Sequence, residues 1–333
     1  VPKPGTKNVY VSREYGYSCM AVVEEQNGTE ALYLCTTAVS AEFGGGALIL
    51  RTEMDKKDKS GNKQKSFEIV SHWLGLPQGT VKSIQSIVSF NGKLYTIPVG
   101  QFTPYRTIYE GVYEKGKEIS WRPVSLEGFG NKNNYDISTI SVFNGHLYAG
   151  TLNPSEGFEI WKTDAETPDP FNPELYKWTP VVVNGAYRGP LNETVLDMCS
   201  FTEPDGAKRL YVGGGILSGG YDQGSEPPVA PGTAEIIRIN PDDTWELVCG
   251  FDTKEERVDP ETGELILPIS NMGPGFGNPF TGYFWQLEEH DNWLYVGTFD
   301  NSLLLSYLPP EKIVSDGLRE AMLAEPYLMD AIV

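Results

Sequence analysis

The segment FNGHLYAGTLNPSEGFEIWKTD, Phe143 to Asp164, packs several strand signals into a short span. Asn144-Gly145 is the favoured pair for a two-residue hairpin turn, where both central residues need positive φ, and the flanking ISVF and HLYAGT alternate as strands do. A Gly-containing loop then leads into a third run, FEIWKTD. The segment predicts a β-hairpin with a further strand behind it.

Weaker copies of the segment recur, and internal repeats of this length govern the whole fold. Their anchor is Leu-Tyr after a turn, at Leu32-Tyr33, Leu94-Tyr95, Leu147-Tyr148, Leu210-Tyr211 and Leu294-Tyr295, with spacings of 62, 53, 63 and 84 residues. Gly-containing loops follow the anchors, as at Gly150, Gly213 and Gly297. Third strands appear as ALILRT from Ala47, FEIWKTD from Phe158 and AEIIRIN from Ala234, and fourth strands begin near Trp121, Trp178 and Trp245. Four antiparallel strands per unit predict an all-β fold, a β-propeller. A chain of 333 residues is long for one compact core, but a propeller spreads its core between blades, and 36 Gly and 24 Pro suit many strands and tight turns.

On this reading residues 1–333 form a single propeller domain. Its blades lie at about 17–76, 83–126, 136–183, 195–251 and 283–308, with a short strand at 8–13 and a helical extension at 311–333. The fifth unit shows YFWQLEE and WLYVGTF but no clear third strand. Two closures stay open, because an exposed strand edge must be covered. Either five blades close, with Leu303 to Tyr307 and the N-terminal strand completing the fifth, or the chain is the front of a six- or seven-bladed ring completed by a C-terminal fragment.

The formal net charge of −19 repels phosphate backbones and anionic lipid, which argues against nucleic acid and membrane partners. The chain opens at Val1-Pro2-Lys3-Pro4 with neither Met nor a secretory apolar core, as a processed product would. Among the four cysteines, Cys19 and Cys35 are equidistant from the turn at Asn27 and so fall opposite each other on adjacent strands. Either a cross-strand disulfide or two reduced, buried thiols fits that placement. Cys199 and Cys249 fall on the first and last strands of one blade. Glycosylation sequons at Asn27 and Asn192 add to the expectation of an extracellular or periplasmic protein. With only His72, His146 and His290 in the chain, two of them at hairpin turns, neither a multi-His metal centre nor a Ser-His-Asp triad is supported.

FEIWKTD with Trp178 downstream, and INPDDTWELV from Ile239, resemble blades of the kelch and Asp-box (sialidase-like) propellers. Asn240, Asp242, Asp243, Thr244 and Trp245 approximate the Asp-box pattern. The resemblance implies propeller blades closed by a structural turn and carries no implication of catalysis.

In a propeller the connections between blades share one rim with the loops between second and third strands, and functional groups are expected there. The connection GFGNKNNYD supplies Asn131, Asn134, Tyr135 and Asp136, and the loop before it supplies Tyr105 and Arg106. YRGPLNETVLD supplies Arg188 and Asp197, and a second GFGN supplies Asn278 with Phe280 and Trp285 beyond it. Tyr221, Asp222, Asp300 and Asn301 come from the remaining loops. The repeated GFGN has two readings: a structural turn with Gly at positive φ and a buried Phe, or a device that turns equivalent amides toward the pore. Two functions follow. As a binding module, the rim would take a small polar or glycan-like molecule, with Tyr105, Tyr135, Tyr221, Phe280 and Trp285 stacking and Asn131, Asn134, Arg106 and Asn278 meeting hydroxyls. As a hydrolase or lyase, Asp136, Asp197 and Asp222 with Arg188 would handle acid–base work and charge, and Asp300 with Asn301 would be candidate Ca²⁺ ligands.

Overall fold

The computed structural model describes residues 7, 14–38, 46–54, 61, 66–100, 106–216, 233–250, 257–278 and 280–300. The expected N-terminal strand at 8–13, Tyr105, Tyr221, Asp222, Asn301, the segment 303–307 and the helical extension lie outside the described residues.

Among the described residues eighteen strands run in meander order. The first blade is β1 (Glu14–Glu24), β2 (Glu30–Ala38), β3 (Leu48–Glu53) and β4 (Glu68–His72), and the second is β5 (Val81–Phe90), β6 (Lys93–Gly100), β7 (Tyr109–Val112) and β8 (Ser120–Pro123). The third holds β9 (Asp136–Phe143), β10 (His146–Leu152), β11 (Ile160–Thr163) and β12 (Thr179–Val182). The fourth holds β13 (Thr194–Thr202), β14 (Lys208–Gly215), β15 (Ile236–Ile239) and β16 (Trp245–Cys249), and a hairpin of β17 (Thr281–His290) and β18 (Trp293–Asp300) follows. The first two blades are separate four-stranded antiparallel sheets, and the pairs Leu152–Thr194 and Gly215–Tyr283 link the third blade, the fourth and the hairpin into one ten-stranded sheet, which makes the fold class all-β, with the blades of a β-propeller. The chain divides into two compact units, Val1–Ala149 with Trp161–Thr179, and Gly150–Ile160 with Pro180–Val333.

The hairpin turns behave as their residues require. Asn91-Gly92, Asn144-Gly145 and Asp291-Asn292 all take positive φ at both central positions. The Asp242-Asp243-Thr244 turn closes on itself, with Asp242 Oδ1 accepting from Thr244 N at 3.1 Å and from Thr244 Oγ1 at 2.6 Å. That is a structural role.

The recurring Leu-Tyr has a packing explanation. Tyr33, Tyr95 and Tyr148 are fully buried, and a buried phenol needs a partner for its hydroxyl. Tyr33 donates to Glu25 at 2.7 Å, Tyr95 to Glu110 at 2.8 Å and Tyr211 to Glu203 at 2.8 Å. Each of these carboxylates also meets an arginine: Arg51 on Glu25, Arg122 on Glu110 and Arg238 on Glu203. At three of the five anchors, Tyr33, Tyr95 and Tyr211, the tyrosine therefore belongs to a Tyr–Glu–Arg cluster that fastens the strands of a blade, whereas Tyr295 is 56% exposed.

Four connections between blades share a second device. Trp73-Leu74-Gly75, Gly128-Phe129-Gly130, Gly185-Ala186-Tyr187 and Gly275-Phe276-Gly277 each run through three consecutive positive φ angles. In each, the residue after the triplet donates its amide to the first residue's carbonyl, from Leu76, Asn131, Arg188 and Asn278 at 3.0 to 3.2 Å. The first residue's own amide reaches a carbonyl just ahead of the blade's third strand, at Ala47, Arg106, Phe158 and Ala234. The GFGN pair thus belongs to a set of four; the expected positive φ is present in both copies, while the expected buried Phe is found in Phe129 and not in Phe276, which is 38% exposed. In the first unit Phe129 stacks on Trp161 at 5.1 Å and leans on Trp178 at 5.0 Å, which anchors that connection in the core.

Candidate functional site

In the first unit the connection from Leu126 to Asp136 gathers five of the expected residues. Its backbone is set by the left-handed turn and by Asn134, whose Nδ2 donates to Gly128 O at 3.0 Å. A side chain at Gly128 would press on Asn134 at about 3.1 Å, so the tight approach requires glycine. Asn131 Oδ1 accepts the Asn133 amide at 3.0 Å, an Asx turn that shapes the next step of the loop. Arg106 lies across the loop: Nη1 donates to the carbonyls of Lys132 (3.2 Å) and Asn134 (3.4 Å), and Nη2 pairs with Glu127 at 3.2 Å. Sequence reasoning places Asn134 on the rim, but the structure buries it completely and commits its amide to the turn.

The two residues that follow differ in exposure, the Tyr135 ring being exposed and the Asp136 carboxyl partly buried. Tyr135 is 58% exposed. Asp136 follows it at the start of β9, with Oδ1 accepting the Ile137 amide at 2.9 Å and Oδ2 making no hydrogen bond among the described residues. Burial pushes the Asp136 carboxyl up to about 7, against the pull of that amide and of the Arg106 charge. Near neutrality it therefore exists in both protonation states, and the protonated form both donates and accepts hydrogen bonds.

The second unit treats its expected residues differently. Arg188 and Asn192 are buried, and so is Glu235 at the start of the third strand of that blade. Glu235 pairs with Arg257 at 2.6 Å, accepts Asn192 Nδ2 at 2.8 Å and has Arg188 Nε 3.7 Å away. Arg188 Nη1 also donates to Asn192 Oδ1 (3.0 Å) and Thr233 O (2.7 Å). Asn192 Nδ2 donates to Gly185 O at 2.9 Å, as Asn134 does to Gly128. The sequon at Asn192 is therefore closed to a glycan in the folded chain, whereas Asn27 sits in an exposed turn.

Asp197 lies at a bulge in β13, and backbone amides fill both its oxygens: Met198 N on Oδ1 at 2.9 Å and Leu287 N on Oδ2 at 2.7 Å. Burial raises this carboxyl too, with the Glu288 charge adding and the two amides opposing. Its geometry is that of a brace between β13 and β17. Asn278 repeats the Asx turn of Asn131, accepting the Phe280 amide at 3.0 Å, and its Nδ2 donates to Asp300 at 2.9 Å. Phe280, expected as a stacking face, is buried at 8% exposure, while Trp285 is 56% exposed. Among the described residues no three His, Cys, Asp or Glu side chains converge as metal ligands would.

Glu25, Glu110, Glu203 and Glu235, the acids that organise the arginines, stand in no recognisable motif. A usable signal existed for two of them: Glu25 and Glu203 each precede the anchor tyrosine by eight residues.

No protein-family model matches the chain, and no curated protein matches it. Three solved structures are similar in part. An α-L-arabinofuranosidase from Podospora anserina, in complex with cellotriose, is 9% identical over 73% of this chain and 69% of its own, with a TM-score of 0.38. The catalytic domain of a Coprinopsis cinerea GH62 α-L-arabinofuranosidase is 11% identical over 84% and 78%, with a TM-score of 0.40. The Bacteroides ovatus xyloglucan PUL protein GH43B is 12% identical over 85% of this chain and 49% of its own, with a TM-score of 0.35.

Proposed function

We propose that the connection from Leu126 to Asp136 recognises a neutral, hydroxyl-rich ligand of the glycan class. The observation that carries this is a braced loop presenting an exposed aromatic ring, Tyr135, next to a carboxyl with one unused oxygen, Asp136. A sugar offers an apolar face for a ring and paired hydroxyls for a carboxyl. Arg106 serves here as the loop's fastening, because its donors already hold two carbonyls and Glu127. Titration with neutral mono- and oligosaccharides, followed by calorimetry, tests the reading. Tyr135→Ala and Asp136→Asn should each weaken binding about tenfold or more, the scale of a central contact. Unchanged affinity in both variants would overturn it.

The second reading, a hydrolase, rests on the carboxyl of Asp136 alone. Burial keeps part of it protonated near neutrality, the state a general acid needs. Hydrolysis of nitrophenyl glycosides would then fall as pH rises through about 7, and would be lost in Asp136→Asn. We also propose a location outside the cytoplasm, where Asn27 is the sequon open to modification; a wild-type chain secreted from a eukaryotic host with the mass of the unmodified sequence would count against it.

A further inference from the structure

Cys19 on β1 and Cys35 on β2 are direct register partners. Partners across adjacent strands point their Cβ atoms to the same face, about 4.5–5.5 Å apart, and their Cα spacing falls inside the range a disulfide spans. That face packs into the apolar cluster of the first unit, with Cys35 inside it and Cys19 half-buried at its margin. A bulge between Tyr17 and Cys19 adjusts the aim of β1, and Ser18 Oγ donates to Cys35 O at 3.5 Å. The Cys19 thiol lies 3.5 Å from Ile84 O, so its position is held. Both thiols are reduced in this structure. The other two cysteines have no sulfur opposite: Cys199 faces Tyr211 across β13–β14, and Cys249 faces Ile236 across β15–β16.

We propose that Cys19 and Cys35 form a cross-strand disulfide when the protein meets a hydroperoxide, with Cys19 as the attacking thiol and Cys35 as the resolving one. The order follows from exposure, since Cys19 reaches the margin of the cluster and Cys35 does not. Burial, with the Cys19 sulfur beside it, pushes the Cys35 thiol well up, which suits a group that reacts second. In the first step the Cys19 sulfur attacks one oxygen of hydrogen peroxide and the O–O bond breaks. Cys19 becomes a sulfenic acid, and the departing hydroxide takes the Cys19 proton and leaves as water. In the second step the Cys35 sulfur attacks the Cys19 sulfur, the S–O bond breaks, and the hydroxide released takes the Cys35 proton as a second water. Two thiols have given up two electrons and one peroxide has been reduced to two waters. Because β1 is, among the described residues, the edge strand of its sheet, the new bond fastens it to β2.

The test uses the full chain, folded, with hydrogen peroxide as the probe, followed by alkylation, digestion and mass analysis. The wild type should lose the mass of two hydrogens and yield a peptide joining Cys19 to Cys35, with Cys199 and Cys249 still alkylated. Cys35→Ser should stop at the first step, gaining one oxygen at Cys19 that dimedone traps. Cys19→Ser should leave Cys35 as an alkylatable thiol. Should Cys35→Ser misfold, Cys35→Ala serves for the trapping, and the wild-type crosslink stands on its own. The proposal is overturned if Cys19 and Cys35 both remain alkylatable in treated wild type, if the crosslink joins other cysteines, or if Cys19→Ser is oxidised at Cys35 as readily as Cys35→Ser is at Cys19.

Discussion

The connection into the third blade and the connection into the fourth share one backbone and differ in where they put charge. Both run through a left-handed triplet, and both brace it with a buried asparagine, Asn134 on Gly128 and Asn192 on Gly185. Into the first, Arg106 reaches from a partly exposed position to neutralise loop carbonyls, and Asp136 keeps an open oxygen. Into the second, Arg188 goes inside, with Nε 3.7 Å from Glu235, and Glu235 pairs with Arg257 and takes the Asn192 amide. The backbone device is therefore neutral as to function.

The closed connection is the place for the largest effect. Glu235→Gln removes the carboxylate between two buried guanidinium groups, and breaking a buried pair costs about 3–5 kcal/mol. Chemical denaturation should show a midpoint falling with little change in slope; a loss under 1 kcal/mol would mean that this connection is no more closed than the other.

Next is the pH dependence of the open connection. Asp136 titrates near 3.8 when unfolded and at about 7 when folded, a difference of about 3 units or roughly 4 kcal/mol. Its folded pKa is raised, so the folded chain binds the proton more tightly than the unfolded one. The stabilisation is present at low pH, declines as pH climbs from about 4 to about 7, and the full cost of the buried charge applies above that. Asp136→Asn should accordingly melt like the wild type near pH 4 and above it at pH 8. Parallel melting curves at both values would show that the carboxyl is better solvated than its position implies.

A smaller loss is expected at Asp197, whose two oxygens both hold amides. Asparagine keeps one acceptor and turns an NH₂ toward the other amide, a change worth about 1–3 kcal/mol. That sets Asp197→Asn apart from Asp136→Asn: one should destabilise, the other should not. Smallest of all, Tyr135→Ala at an exposed loop position should leave stability within about 0.5 kcal/mol while ligand affinity drops.

Much of the fold was legible because its signals are local. An Asn-Gly turn between alternating runs states a hairpin within a dozen residues, and five Leu-Tyr anchors state the repeat. The inter-blade turn was half legible. GFGN appears twice, but the other two copies are WLG and GAY, and nothing in Trp73, Leu74 or Ala186 advertises positive φ. The first residue of each turn, Trp73 and Gly185, is held by a hydrogen bond to the carbonyl of Ala47 or Phe158, far away in sequence. The candidate site was least legible. Asn134 and Asp136 are two residues apart in one polar loop, yet one is sealed and the other open, and that distinction depends on the depth of the loop. Arg188 looked like a charge for a ligand because its partner, Glu235, lies 47 residues further on.

The left-handed triplets carry a consequence for the chemistry of the chain. Leu74, Phe129, Ala186 and Phe276 occupy a conformation that costs an L-residue about 1–2 kcal/mol and costs its mirror image nothing. At these four places the protein follows the path natural to the opposite enantiomer. A semisynthetic chain with D-alanine at position 186 should fold to the same structure and melt higher, whereas D-alanine at a strand position such as Ala149 should not be tolerated.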